Sequence, residues 1–491
     1  MEYLEIPYCV TIIDNCFSNP KLNELVLHDN IAQIMNFSGN NALTELIVPI
    51  GATNVSVRDL ACLKKLIIPA TVTDYRVINL PALEELTVPY ITTKQLEDYA
   101  ITNLIDLVYN DSSVGGVYIS DSTGNEKYAP TNFKTLNIVG SGYIGCANCL
   151  NGYSTIEEIN VPNAISIVDN MFAGIQNLKK VIFSDNLLTL GASVFYNCSE
   201  LVDVNLGTKV TTIGANTFEN CNKLLRINSS EDKVILPSTL TTLSTGMFKN
   251  CSSIKSIDYT VNNNTVIPSY FAYGCTSLTN FEFKNGIVEI SDCAFEGAGL
   301  TEVSGEEQLT FIGNRSLAST KLESVNLDGL SSSGLMMGGA FRDCTELSTI
   351  SINSNVTKIG ISTFEGCSSL SDLTPFENVD EIGSNAFRGI GVESLTLWAN
   401  LTSVGSGAFN SCVNLKSVEL SKMISVTQIP YALFGYCSQL EEIFIPAHIT
   451  NISAFAFQFS GIKSISFDDD CEANLEEKSI CRYVFIRKCC V

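Results

Sequence analysis

The sequence predicts a leucine-rich-repeat solenoid, a β-rich stack of about 21 coils, α/β by convention, with a parallel sheet along one face. Three observations predict it. A strand motif, Leu-x-x-Leu-x-(Val/Ile/Leu) and often a closing Pro, recurs at a near-fixed interval. A second column sets an aliphatic residue five positions before an aromatic. Composition agrees: 45% of the chain is hydrophobic and only 16% charged, enough apolar material for a continuous core.

The strand motif reads Leu43, Leu46, Val48, Pro49, then Leu63, Leu66, Ile68, Pro69, then Leu83, Leu86, Val88, Pro89, a step of 20 residues. Its last apolar positions alternate with polar ones, the periodicity of a strand buried on one side. A proline at the strand end removes a ladder donor and turns the chain outward. An incomplete coil enters at Leu4, Ile6 and Pro7, a second follows at Leu22, Leu25 and Leu27, and Leu104 and Leu107 close the short-coil array, 1–109. Residues 110–132 interrupt the pattern with turn-forming residues and read as a surface insertion or a joint.

The motif resumes at Phe133, Leu136 and Ile138, and an array of longer coils, about 23 residues each, is expected over 133–467. Val210–Leu224 (VTTIGANTFENCNKL), Val356–Leu370 (VTKIGISTFEGCSSL) and Leu401–Leu415 (LTSVGSGAFNSCVNL) show its skeleton. A lone coil cannot bury its Leu strand and its Phe together, whereas a stack buries both as columns. The Gly after the aliphatic residue, as at Gly191, Gly214, Gly313, Gly360, Gly383 and Gly405, predicts a tight turn or a positive φ. One long step, Leu224 to Ile254, is expected to hold an extra loop, NSSEDKVILPS. Residues 468–491 read as a C-terminal cap.

This repeated pattern, aliphatic–Gly, then Phe, Cys and Leu, then an alternating strand closed by Pro, resembles the BspA-like leucine-rich repeat family. The resemblance is strong over 133–467 and weaker over the short coils. It implies a right-handed solenoid with a parallel sheet. Such proteins are often surface adhesins or antigens of bacteria and some protists, so a cell-surface or secreted setting is implied. The start MEYLEIPYCV has neither a basic end nor an apolar core, so no signal peptide is expected and a cytoplasmic scaffold is the alternative.

Charge and composition exclude several functions. A net charge of −23 argues against nucleic acid, which demands a basic stripe, and against anionic membranes. No apolar run is long enough to span a bilayer, so no membrane insertion is expected. With two histidines, His28 and His448, far apart in the array, a catalytic triad is hard to assemble, and an enzyme is not expected. Nor is a cofactor or a metal.

Two motifs invite chemistry and are better explained by the register. Gly140–Gly145 fits GxGxxG, but a dinucleotide loop must open a helix, and Ile144-Gly145 falls in the aliphatic–Gly column. Cys146 and Cys149 form a lone CxxC; a zinc site needs four ligands, and Cys149 occupies the slot Phe takes elsewhere. An enzyme or metal protein using these thiols, or the terminal Cys471, Cys481, Cys489 and Cys490, is the remaining alternative. Cys198, Cys221, Cys251, Cys344, Cys367, Cys412 and Cys437 each follow their aromatic by three, as small core residues or as neighbours within reach of a disulfide.

The expected site is therefore the outward surface of the sheet. Two positions after each anchor stand Glu24, Glu45, Lys65, Glu85, Asp106, Glu158, Asp203 and Glu442. Four positions after, the early coils carry Val26, Ile47, Ile67 and Val108, an apolar stripe that is either a contact site or covered by the insertion. Trp398, the single tryptophan, stands where Pro closes other strands and either anchors a partner or covers the sheet edge. The partner expected along this face is a protein or a glycan.

Overall fold

The computed structural model describes residues 2–16, 18–69, 71–72, 74–78, 80–88, 106–109, 134–138, 142–144, 155–260, 265–284, 286–330, 338–476, 478–479 and 485–488. The chain divides into two units, Met1–Met247 with Ile257–Asn262, and Phe248–Ser256 with Asn263–Val491. Both are parallel-sheet solenoids, together about 18 turns against the 21 coils expected. The described residues contain no α-helix, only the short 3-10 turns Glu306–Gln308 and Thr374–Phe376.

In the first unit the anchor strands form an 11-stranded parallel sheet from Glu45–Ile47 through Lys65–Ile67, Glu85–Val88, Asp106–Tyr109, Thr135–Ile138, Glu158–Val161, Lys180–Phe183, Asp203–Asn205, Arg226–Ile227 and Val234–Ile235 to Ile257–Asp258. Alternation decides which side chains enter the core: Val181 and Phe183 are buried while Lys180 and Ile182 face outward, half-buried. In the second unit the same coil appears as shorter parallel pieces, such as Ser324–Leu327 with Thr349–Ile352 and Glu442–Ile445 with Ser464–Phe467.

The aromatic column is the second core. Phe172, Phe195 and Phe218 are buried, with ring centroids 5.7 and 5.5 Å apart. In the second unit Phe341, Phe364, Phe387 and Phe409 stack at 5.5, 5.6 and 5.5 Å with planes within 11° of parallel.

Two sequence expectations change, and one element is new. The segment NSSEDKVILPS is not simply a loop. Val234–Ile235 inserts as a strand of its own between Arg226–Ile227 and Ile257–Asp258, with Val234 buried. The Gly after the aliphatic residue is not there for positive φ. A Cβ at Gly214 would lie 2.4 Å from the backbone nitrogen of Ala192, and one at Gly405 2.3 Å from that of Ser384, so neighbouring coils press together there and leave no room. The left-handed residues instead bracket the Phe by two on each side: Asn216 and Asn220 (φ 55° and 63°), Ser362 and Gly366 (56° and 81°), Gly407 and Ser411 (65° and 60°). Finally, the short coils carry a second strand that the motif did not announce, at Ile12–Asp14, Gln33–Phe37, Asn54–Arg58 and Asp74–Ile78, joined as a four-stranded parallel sheet.

Candidate functional site: the outward face of the parallel sheet

The backbone register aligns the outward residues into rows. The first runs Glu45, Lys65, Glu85, Asp106, Thr135, Glu158, Lys180, Asp203, Arg226 across successive strands. Glu24 faces Tyr3 in a separate two-stranded pair. Glu24, Glu45 and Glu85 are exposed and Lys65 half-buried; for Asp106 only the backbone is described.

Rather than a plain acidic stripe, the row mixes acidic residues with Lys65, Lys180 and Arg226. Lys65 Nζ lies 3.3 Å from Glu45 and 3.5 Å from Glu85. The Glu45 carboxylate first, then Glu85, raises the Lys65 ammonium above its ordinary value. One position nearer the strand start, Glu157 sits between Lys134 (3.1 Å) and Lys179 (2.7 Å). Hydrogen bonds from Lys179 and then Lys134 hold its carboxyl below the usual range. These exposed pairs contribute little stability each, and salt screens them. Their effect is to present a surface on which acidic and basic groups are interleaved.

The apolar row is short. Ile47 is 54% exposed, Val26 and Ile67 are half-buried, and Thr87 follows in register. Trp398 does not join the face. It is 7% exposed, and its indole Nε1 donates to the Val379 carbonyl at 2.6 Å, so packing and a hydrogen bond hold it inward.

The thiols are core groups. Cys198, Cys221, Cys275, Cys344, Cys367, Cys412 and Cys437 are buried and unbridged. Cys198 Sγ donates to Phe172 O and Cys221 Sγ to Phe195 O, each at 3.1 Å, tying a thiol to the aromatic residue of the preceding coil. Burial pushes the Cys198 and Cys275 thiols up to about 12. Cys471 is buried as well. Cys146, Cys149, Cys481, Cys489, Cys490 and the insertion 110–132 lie outside the described residues. Of the GxGxxG stretch, Gly142–Ile144 forms a strand paired with Ala164–Ile167, not the opening of a helix. No cluster of three or more metal-ligating side chains occurs among the described residues.

Three features escaped sequence reasoning. Lys180 and Arg226 occupy the first outward row, a position their spacing from Leu178 and Leu224 would have shown. Beside them an open depression of about 590 Å³ lies over the strands Lys180–Phe183 and Asp203–Asn205, walled by Asn228, Ser229 and Ser230 at the start of the inserted segment. In the second unit, Tyr436, Phe455 and Phe459 adopt left-handed backbone (φ 64°, 62° and 53°) at positions where many other coils use Asn, Gly or Ser, and Phe459 is 60% exposed.

The geometry defines a leucine-rich-repeat β-solenoid with a parallel sheet along one face. The family model described as "BspA type Leucine rich repeat region" matches in six copies over residues 1–108, 143–272, 265–389 and 362–486, and the chain belongs to this family. No curated protein matches it. Among solved structures it is similar to a leucine-rich repeat protein from Bacteroides ovatus, at 18% identity over 82% of this chain and 91% of that one, TM-score 0.42. It is also similar to a leucine-rich cell surface protein from Faecalibacterium prausnitzii (18%, 78% and 90%, TM-score 0.29). The pneumococcal vaccine antigen PcpA is a third (15%, 82% and 84%, TM-score 0.37).

Proposed function

We propose that this chain is a non-enzymatic interaction or adhesion protein that binds a protein or glycan partner along its sheet face at a cell surface. The observation that carries this reading is the 11-stranded sheet, whose outward rows present charged and polar side chains in register while the Phe and Cys columns are taken up by the core. Repeat faces of this kind offer a partner many equivalent contacts on a rigid support. The surface setting rests on what membership of the family implies.

The test uses the full chain as bait in material from its natural surroundings, with partners identified by mass spectrometry. Affinity for the captured partner is then compared between the wild type and a triple variant, Glu24→Lys, Glu45→Lys and Glu85→Lys. A tenfold or greater loss is expected with the fold intact by circular dichroism. Unchanged affinity removes this face from the reading.

A further inference from the structure

We infer that the depression over Lys180–Ser230 is a subsite for a neutral saccharide. This deepens the sheet-face reading and rests on it. The floor is built by two registered strands. Lys180 stands opposite Asp203, and Ile182 opposite Asn205, with Ile182 offering a half-buried apolar patch. The far wall is the start of the inserted segment, where Ser229 and Ser230 rise beside the sheet.

The wall is fixed before any ligand arrives. Asn228, in left-handed backbone at φ 52°, accepts from the Leu206 N–H at 2.7 Å and donates to the Gly207 carbonyl at 3.0 Å. Asp185 Oδ1 accepts from the Thr208 N–H and hydroxyl at 2.7 and 2.9 Å. The Thr208 bonds hold the Asp185 carboxyl below its usual range, so it stays ionised. Arg226, 3.9 Å from Asp203 and bonded to Ser230 O at 3.5 Å, braces that carboxylate from the side. A wall ordered in advance lowers the entropy cost of binding.

The groups left over decide the ligand class. Among the described residues, the Lys180 ammonium, the Asn205 side-chain NH2 and the Ser230 hydroxyl donate to no partner. Asp203 accepts no hydrogen bond, and Asp185 keeps Oδ2 unused. Donors and acceptors are thus mixed within one open site. An anion would face two carboxylates and the field of a chain with net charge −23. A cation would face Lys180 and leave the Asn205 donor unpaired. A sugar hydroxyl both donates and accepts, so adjacent hydroxyls can satisfy both sets through charge-assisted bonds. The apolar C–H face of the ring can rest on Ile182.

The test is saturation-transfer NMR on the full chain with neutral oligosaccharides built from glucose, galactose, mannose and N-acetylglucosamine. At least one is expected to bind, with a Kd on the order of 0.1–1 mM. Asp203→Asn combined with Asn205→Ala should weaken binding tenfold or more. Lys180→Met, which breaks no bond in the fold, should weaken it several-fold, and Ser56→Ala, on the second strand of a short coil, should leave it unchanged. Absence of binding across the panel, binding indifferent to these variants, or preferential binding of a charged peptide at this site each overturns the inference. Loss of saccharide binding alone leaves the protein partner of the Glu24–Glu85 face intact, so failure here is distinguishable from failure of the broader reading.

Discussion

The short coils of the first hundred residues and the long coils after residue 155 share one strand and differ in how the chain returns. In a short coil the return is a second full strand: Asn54–Arg58 buries Val55 and Val57 and turns Asn54, Ser56 and Arg58 outward. In a long coil that strand shrinks to Thr212–Ile213, and a turn follows in which Asn216 and Asn220 bracket Phe218. Leu43 to Leu63 spans 20 residues and Leu201 to Leu224 spans 23, so about three residues separate the two designs. They exchange extended backbone and aliphatic packing for left-handed turns carrying an aromatic ring and a thiol. Ring stacking then adds about 0.5–1.5 kcal/mol per pair beyond area burial. The long coil draws more of its stability from contacts between coils.

The largest effect should therefore come from the aromatic column. Phe364 lies 5.5 Å from Phe341, 5.6 Å from Phe387 and 5.3 Å from Phe376. Phe364→Ala is expected to cost about 3–5 kcal/mol of unfolding free energy, against about 2 kcal/mol for Val57→Ala in a short coil. Repeat arrays need not unfold in one step. Hydrogen exchange of each coil's own amides is therefore the measurement to set beside urea denaturation. Equal costs would break the comparison.

A smaller loss is expected where coils press closest. Gly405→Ala should destabilise by about 1–3 kcal/mol, because its Cβ would meet Ser384 N at 2.3 Å and both coils must shift. Ser56→Ala, in the second strand of a short coil, should change stability by less than about 0.5 kcal/mol. A harmless Gly405→Ala would mean that the coils can separate there at no cost.

Much of this was legible in the sequence because a period is a one-dimensional signal. Anchor spacing placed Glu45, Lys65 and Glu85 on one outward row, and the slot after each Phe marked the cysteines as core. What escaped depends on contacts between residues some 20 positions apart or on backbone conformation. The glycine column answers to the backbone of the preceding coil, which no local turn preference reveals. Trp398 is drawn inward by the Val379 carbonyl, 19 residues back. The depression exists only because Val234–Ile235 joins the sheet and leaves Asn228–Ser230 as a wall. The second strand of the short coils did leave a trace, the alternation in Asn-Val-Ser-Val-Arg, but five residues are too few to separate a strand from a loop on pattern alone.

The thiols test the same contrast with the smallest expected change. Cys9, Cys16 and Cys62 in the short coils are exposed, whereas Cys198, Cys221 and Cys275 are buried against the aromatic column. Alkylation at pH 8 should modify the first three promptly and reach the column only on unfolding. Burial raises the Cys198 thiol from its ordinary 9.0 to about 12. The unfolded chain therefore releases that proton first. Below pH 9 the thiol's contribution to stability is complete, and it is lost as the pH rises from 9 to about 12. Cys198→Ala should cost about 1 kcal/mol at pH 7, chiefly the hydrogen bond to Phe172 O. It should also flatten the alkaline decline relative to the wild type. A decline of equal slope in both proteins, or column thiols that react as fast as Cys62, would show that the long coils open as readily as the short ones.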